Sequence, residues 1–200
     1  MNIDIILPYK EIFSENKASA VSLTVKNSME YSEFKSNIKI YGQNTSNSFL
    51  PNNFRGVKVN RLLHFSKNKS ILYNYLNSNQ SVDDYKKIIE IHNRPYVFNL
   101  ASKKISNHPI TLHYHNDPRT MKGSKTIKER EYIIQKAAAV YFVSSFIRDC
   151  FLEGIKSPPK NLHVLPNGIQ RRLNEQPNKK KEILFIGRLV PEKGSHLFVK

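Results

Sequence analysis

Apolar runs of strand length recur along this 200-residue chain at positions 3–7, 38–41, 87–92, 109–115, 140–143 and 162–165. Each run is short and nearly continuous, the pattern of parallel strands covered on both faces. Between several of them the apolar residues recur at helical spacing. Ala18, Val21, Val25 and Met29 form one stripe, and Phe146, Ile147, Cys150 and Phe151 form another. Alternation of such strands with such helices leaves few arrangements open. It predicts an α/β fold, a Rossmann-like doubly wound parallel sheet with helices on both faces.

Local punctuation supports this division. Thr126 followed by Glu129 predicts a capping box at a helix start, and Ser144 caps the next helix directly after a strand. Gly154, then Pro158 and Pro159, end that helix. The segment 43–60 is rich in Asn, Ser and Pro and reads as a loop with a short strand around 57–59. Residues 169–181 turn to Gln, Arg, Asn, Pro and three consecutive lysines, which is linker chemistry. The expected organisation is a Rossmann-like domain over 1–168, a linker over 169–181, and over 182–200 a strand at 183–186, a glycine loop and the first turns of a helix. That last element is cut short, so the chain is expected to be a piece of a longer protein.

The 32 Lys and Arg residues against 16 Asp and Glu give a formal charge of +16, a field that favours anionic partners. Basic residues concentrate over 55–69, with Leu62, Leu63, His64 and Phe65 between them, and over 119–136. Such stretches suit an anionic membrane surface, and equally a solvated basic face. Nucleic acid is the less favoured partner, since no helix-turn-helix, zinc or RNA-binding signature accompanies the charge. One cysteine, Cys150, excludes an internal disulfide framework and fits a reducing compartment. The first residues carry Asp4 and no basic leader, and the longest apolar run, 137–143, is too short to cross a bilayer. A cytoplasmic location is expected, with peripheral attachment to the inner membrane face as a further expectation.

The stretch Gly187-Arg188-Leu189-Val190-Pro191-Glu192-Lys193-Gly194 follows an apolar run and precedes a helix start. A helix amino terminus offers unpaired N–H groups, glycine permits close backbone approach, and Arg and Lys add charge-assisted bonds, so the loop is a competent diphosphate site. The same glycines could serve turns alone, with both cations in solvent. The spelling resembles the opening of the second domain in family 4 glycosyltransferases, which have the two-domain GT-B fold. Other signatures of that family follow in order: Leu7-Pro8 after the first strand, Asn93 after the strand at 88–92, His115-Asn116-Asp117, the Ser144 helix start, and Leu165-Pro166-Asn167-Gly168.

The resemblance implies a retaining glycosyltransferase that moves a sugar from a nucleotide-sugar donor to a glycan or lipid-linked acceptor in envelope polysaccharide or lipopolysaccharide synthesis. By motif position, Arg188 and Lys193, with Gly187, fall where the family binds the donor diphosphate. His115 falls where it has a histidine near the reacting anomeric carbon, with His113 the lesser reading. Lys10, Ser19, Ala20, Asn93 and Asn116 are further candidates for lining the acceptor or donor site. Two positions depart from the family pattern: Ser19 stands where a glycine is expected, and Gln170 where relatives place Asp. The glutamates that the family uses later in its second domain lie beyond position 200, so this piece alone is expected to be inactive.

No cofactor is implied beyond the donor substrate. His113 and His115 at i and i+2 share a strand face, but the sequence shows no third ligand at suitable spacing and no Cys partner, so no metal site is expected. A non-enzymatic nucleotide- or sugar-binding module is the alternative function.

Overall fold

A computed structural model describes residues 1–60, 66–78, 87–157, 159–168, 181, 183–187 and 189–198. The chain divides into two compact units, Met1–Ile169 and Gln170–Lys200. The first contains strands β1 (Asn2–Ile6), β2 (Ile38–Gln43), β3 (Phe54–Val57), β4 (Lys87–His92), β5 (Ile110–Tyr114), β6 (Ala139–Phe142) and β7 (Leu162–Val164). All pair in parallel, in the order β3-β2-β1-β4-β5-β6-β7. The helices are α1 (Ala20–Glu30), α2 (Lys67–Ser78), α3 (Pro95–Ala101), α4 (Ile127–Lys136) and α5 (Ser145–Leu152). The Rossmann-like parallel sheet expected from the apolar runs is therefore present.

Successive residues of a strand face opposite sides of the sheet, and the two sides differ. One side carries Ile6, Tyr41, Ile89, Ile91, Leu112, Tyr114, Val140 and Phe142, packed against Ile71, Leu72 and Tyr75 of α2, Val97 and Phe98 of α3, Ile133 of α4 and Phe151 of α5. The other side carries Ile5, Leu7, Ile38, Ile40 and Phe54, packed against Phe13 and against Val21, Val25 and Met29 of α1. Helices cover both faces as expected, but among the described residues α1 is the helix of the second face, and its apolar contacts lie over β1 to β3.

Helix boundaries follow local chemistry. Ser19 caps α1 reciprocally with Ser22, and Thr126 forms the expected capping box with Glu129. Ser144 accepts from the Ile147 N–H to open α5. Pro95 sits in the first turn of α3, where its missing N–H costs nothing. Inside the first core, Lys87 Nζ lies 3.1 Å from Asp4 Oδ2, and Tyr75 donates to the same oxygen at 2.9 Å. That buried cluster ties α2 to the start of the two central strands.

Several expectations need correction. Phe146 is 66% exposed, because helical side chains tilt toward the amino terminus and a first-turn residue reaches past the packed layer. The short strand expected around 57–59 is β3, at Phe54–Val57, while α2, with Ile71, Leu72, Tyr75 and Leu76 at helical spacing, and α3 lie outside the two stripes read from the sequence. Ala18 precedes α1 and does not belong to its stripe. In the second unit, 183–186 is not a buried strand: Ile183, Leu184 and Ile186 are 89%, 77% and 86% exposed. A lone extended segment has no ladder to join, and no described residue pairs with it. That unit does contain a turn at Pro191–Lys193, Gly194 in the left-handed region, and a short helix α6 (Ser195–Phe198).

Gly123 closes the loop between β5 and α4 against the start of α3. Its φ is +94°, and a Cβ there would lie 2.6 Å from the Tyr96 nitrogen and 2.8 Å from its Cα. The left-handed conformation alone costs an L-residue roughly 1–2 kcal/mol, and the obstacle is backbone, which cannot rotate aside. Gly123→Ala should destabilise the chain by about 2 kcal/mol or more, measured as a lower denaturant midpoint at unchanged slope; an unshifted midpoint would contradict the close approach.

Candidate active site

The strand order reverses direction of growth between β1 and β4, and in open parallel sheets ligands bind beyond the carboxyl ends of strands at such a point. Here the two central strands end at Leu7-Pro8 and at His92-Asn93. Asn93 is buried and adopts φ +52°, a left-handed conformation that Asn tolerates. Its N–H donates to the His113 carbonyl at 2.7 Å, and its Oδ1 accepts from the His115 N–H at 3.3 Å. Asn93 thus stitches the end of β4 to the end of β5 and sets the height at which His115 leaves the sheet.

On the sheet face that carries α1, the part over β4 to β7 is polar. The register pairs His92 with His113, His113 with Tyr141, and Tyr141 with His163. Their rings run side by side at centroid distances of 4.4, 4.6 and 5.4 Å. Glu90 lies one step below His92 on the same face, and His115 one step above His113. A cavity of about 380 Å³ opens over this row, lined by Glu90, His92, His113, His115 and Tyr141, by Thr24, Val25 and Ser28 of α1, and by 165–168.

His92 Nδ1 and His115 Nε2 are 3.1 Å apart, so one of the two atoms carries the shared proton. Burial lowers His115 to about 4. Burial, then the neighbouring His115, lowers His92 to about 3. His113 is also lowered to about 3, by burial first and by His92 second, against an opposing pull from Glu90. At neutral pH all three imidazoles are uncharged. His115 is therefore suited to give or accept a hydrogen bond, and it does not act as a fixed cation.

A second cavity, of about 900 Å³, lies beside the switch point and is lined by Ser66, Asn68, Lys69, Arg94, Tyr96, Asn116 and Lys122, among others. Lys122 and Lys69 rest over the Tyr96 ring, with ammonium nitrogens 4.4 and 5.7 Å from its centroid. Arg94 donates to the Asn93 carbonyl at 2.6 Å. Three cations thus border one polar cavity, a composition suited to an anionic ligand group.

The structure brings His115, His113 and Asn93 together and places Asn116 in the cationic cavity. Lys10 is exposed at φ +78°, Ser19 spends its hydroxyl on the α1 cap, and Ala20 is exposed; none of the three lines either cavity. Gly187 and Lys193 lie exposed in the second unit, and Arg188 lies outside the described residues. Sequence reasoning missed Glu90, Tyr141, Lys69, Arg94 and Lys122. Glu90 and His92 at i and i+2 were the available signal, a polar pair on one face of an otherwise apolar strand. Part of the expected basic surface is used internally. Arg130 is buried, bonding to the Ser124, Lys125 and Glu153 carbonyls, and Arg119 pairs with Asp117 and Glu153. Leu62, Leu63, His64 and Phe65 lie outside the described residues, as does Gln170.

An open, all-parallel sheet with helices on both faces and a polar, cavity-bearing carboxyl edge at its switch point places the chain in the Rossmann-like α/β class. No family model matches the chain. Over 132 residues it is 27% identical to a protein named "Putative glycosyltransferase YtcC" from Bacillus subtilis (strain 168), covering 56% of this chain and 32% of that protein. The chain thus spans about a third of the length of the curated relative it matches.

The buried histidines make stability acid-sensitive. In the folded chain His92, His113 and His115 protonate well below the usual 6.5, so between about pH 6.5 and 4 the unfolded chain binds more protons. Stability present above pH 6.5 is lost as pH falls through this window, at up to about 1.4 kcal/mol per pH unit for each histidine kept neutral. Urea midpoints measured from pH 7 to pH 4.5 should fall steeply, and His113→Gln should flatten the slope; an equal slope in that variant would remove His113 from the account.

Proposed function

We propose that this chain is the acceptor-side part of a family 4 glycosyltransferase of GT-B architecture, which transfers a sugar with retention from a nucleotide-sugar donor to a glycan or lipid-linked acceptor in envelope polysaccharide or lipopolysaccharide synthesis. The observation that carries the reading is His115, neutral and held by Asn93 and His92 at the carboxyl edge of the sheet, close in the strand order to a cavity edged by Lys69, Arg94 and Lys122. Similarity to a protein named as a glycosyltransferase supports the reaction class. The ordered motifs of the sequence support the family.

In this reading the 900 Å³ cavity receives the acceptor, and its cations meet an anionic group on it. His115 lies near the donor sugar and, being uncharged, orients a hydroxyl by hydrogen bonding without adding fixed charge. Arg188 and Lys193, with Gly187 allowing close approach, stabilise the diphosphate as negative charge develops on it during departure. Residues 1–168 form the first domain, 169–181 the linker, and 182–200 open the donor domain. The enzyme works on the cytoplasmic side, attached peripherally to anionic lipid; among the described residues no helix is long and apolar enough to cross a membrane.

Screening of nucleotide-sugar donors with the protein encoded by the complete gene tests the reaction. There, Arg188→Ala combined with Lys193→Ala should lower kcat by on the order of 100-fold or more, since removal of one donor to a developing anion already costs about that much; near-normal turnover would refute the assignment. For the membrane expectation, cosedimentation with vesicles should retain the protein on anionic lipid and release it with rising salt. Equal retention on neutral lipid would exclude an electrostatic attachment.

A further inference from the structure

The polar row over β4 and β5 contains an arrangement that hydrogen bonding inside the protein does not explain. Glu90 Oε2 lies 3.6 Å from His92 Nε2 and 3.8 Å from His113 Nε2, and the three ligand atoms all fall within 4.8 Å of one another. Both separations exceed a hydrogen bond. Each Nε2 is buried without a hydrogen-bond partner, and the His92 side chain is only 5% exposed. Two cases exist for each ring. A proton on Nε2 would leave a buried donor stopped short of a carboxylate, whereas a lone pair there would point at an anionic oxygen. Either is costly in a protein interior unless something sits between the three atoms.

We infer that Glu90 Oε2, His92 Nε2 and His113 Nε2 form a three-ligand site for a divalent transition-metal ion of the zinc type. Two imidazoles and one carboxylate are an established zinc donor set, completed by a fourth, exchangeable ligand. Bond lengths of about 2.0–2.2 Å at tetrahedral angles put neighbouring ligand atoms roughly 3.3 Å apart. The observed 3.6 and 3.8 Å are close to this, and the two imidazoles, stacked with their planes 20° apart, must also turn so that both in-plane Nε2 lone pairs meet the ion. The three residues also line the 380 Å³ cavity, which supplies room for the fourth ligand. The ligands come from two adjacent strands in direct register, so the site is built on paired strands of the sheet and not on loops. This replaces the expectation that the sequence lacks a third ligand: Glu90 is that ligand, two residues before His92.

The site has a consequence for its neighbour. A metal on His92 Nε2 leaves Nδ1 as the only position for the proton of that neutral ring, so His92 donates to His115 Nε2 and His115 carries its own proton on Nδ1. The ion thereby selects one tautomer of the residue assigned to the transfer reaction. That consequence rests on the proposed function; the site itself does not.

The test uses the untagged chain, stripped with chelator, with Co²⁺ as a spectroscopic probe and Zn²⁺ affinity measured against a chromophoric chelator. The expected result is a single ion per chain, with visible absorption of the intensity of tetrahedral Co²⁺ that Zn²⁺ abolishes. Glu90→Gln and His113→Gln should each weaken binding by at least ~10-fold, because loss of even an outer-shell partner costs about 10–100-fold. His163→Gln, farther along the same ring row, should bind as the parent does. Thermal unfolding of the metal-free variants identifies any that fail to fold, and Glu90, partly exposed at the cavity, is the substitution least disruptive to packing. Absence of saturable binding by the parent chain, or unchanged affinity in folded Glu90→Gln, overturns the inference. Because the readout is binding, a negative result leaves the glycosyl-transfer reading standing, and a failed donor screen leaves the metal site standing.

Discussion

The parallel pairing of β4 with β5 governs what this protein can do. Its register sets Ile91 beside Leu112 and His92 beside His113, sending the first pair into the helix-covered core and the second to the opposite face. A slip of one residue would exchange them, burying imidazoles under α2 to α5 and exposing aliphatic side chains in the cavity. Register is held by more than the ladder itself. Asn93, left-handed and buried, bonds to both ends of the His113–His115 segment, and the Asp4–Lys87–Tyr75 cluster anchors the opposite end of the central strands.

A parallel sheet is normally apolar on both faces because helices cover both. Strands β1 and β2 obey this, with Ile5 and Leu7 or Ile38 and Ile40 under α1. Strands β4 to β6 depart from it: Glu90, His92, Thr111, His113 and Tyr141 occupy the same face where α1 gives way. Local departures from the pattern that builds the rest of a fold are where function concentrates. Here the departure holds three neutral histidines, a carboxylate and a cavity. The cationic cavity beyond α3 adds a site of opposite character within the same carboxyl edge.

Much of the framework was legible along the chain. Strand runs, the Thr126 and Ser144 caps and the shared face of His113 and His115 are properties of neighbours in sequence, and each appears in the structure as read. Legibility was weaker where a segment's state depends on distant partners. The helix at Lys67–Ser78 is short of apolar residues overall, its apolar positions Ile71, Leu72, Tyr75 and Leu76 standing among Lys, Asn and Ser, and it is fixed by Ile71, Leu72 and Tyr75 against the sheet. The apolar stretch at 183–186 has strand composition but no partner among the described residues, so composition alone did not make it a strand.

By itself the sequence determined the class of fold, because periodicity of two or of 3.6 is written within a single segment and limits how that segment can bury its apolar side. It also marked His115, His113 and the glycine loop at 187–194 as candidates by order of motifs. Only the tertiary structure decided that Glu90 and His92 join His113, that His92 shares a proton with a histidine 23 residues away, and that Lys69, Arg94 and Lys122 border one cavity. Those relations are lateral, set by strand register and helix packing between segments far apart in the chain, and no single segment encodes them.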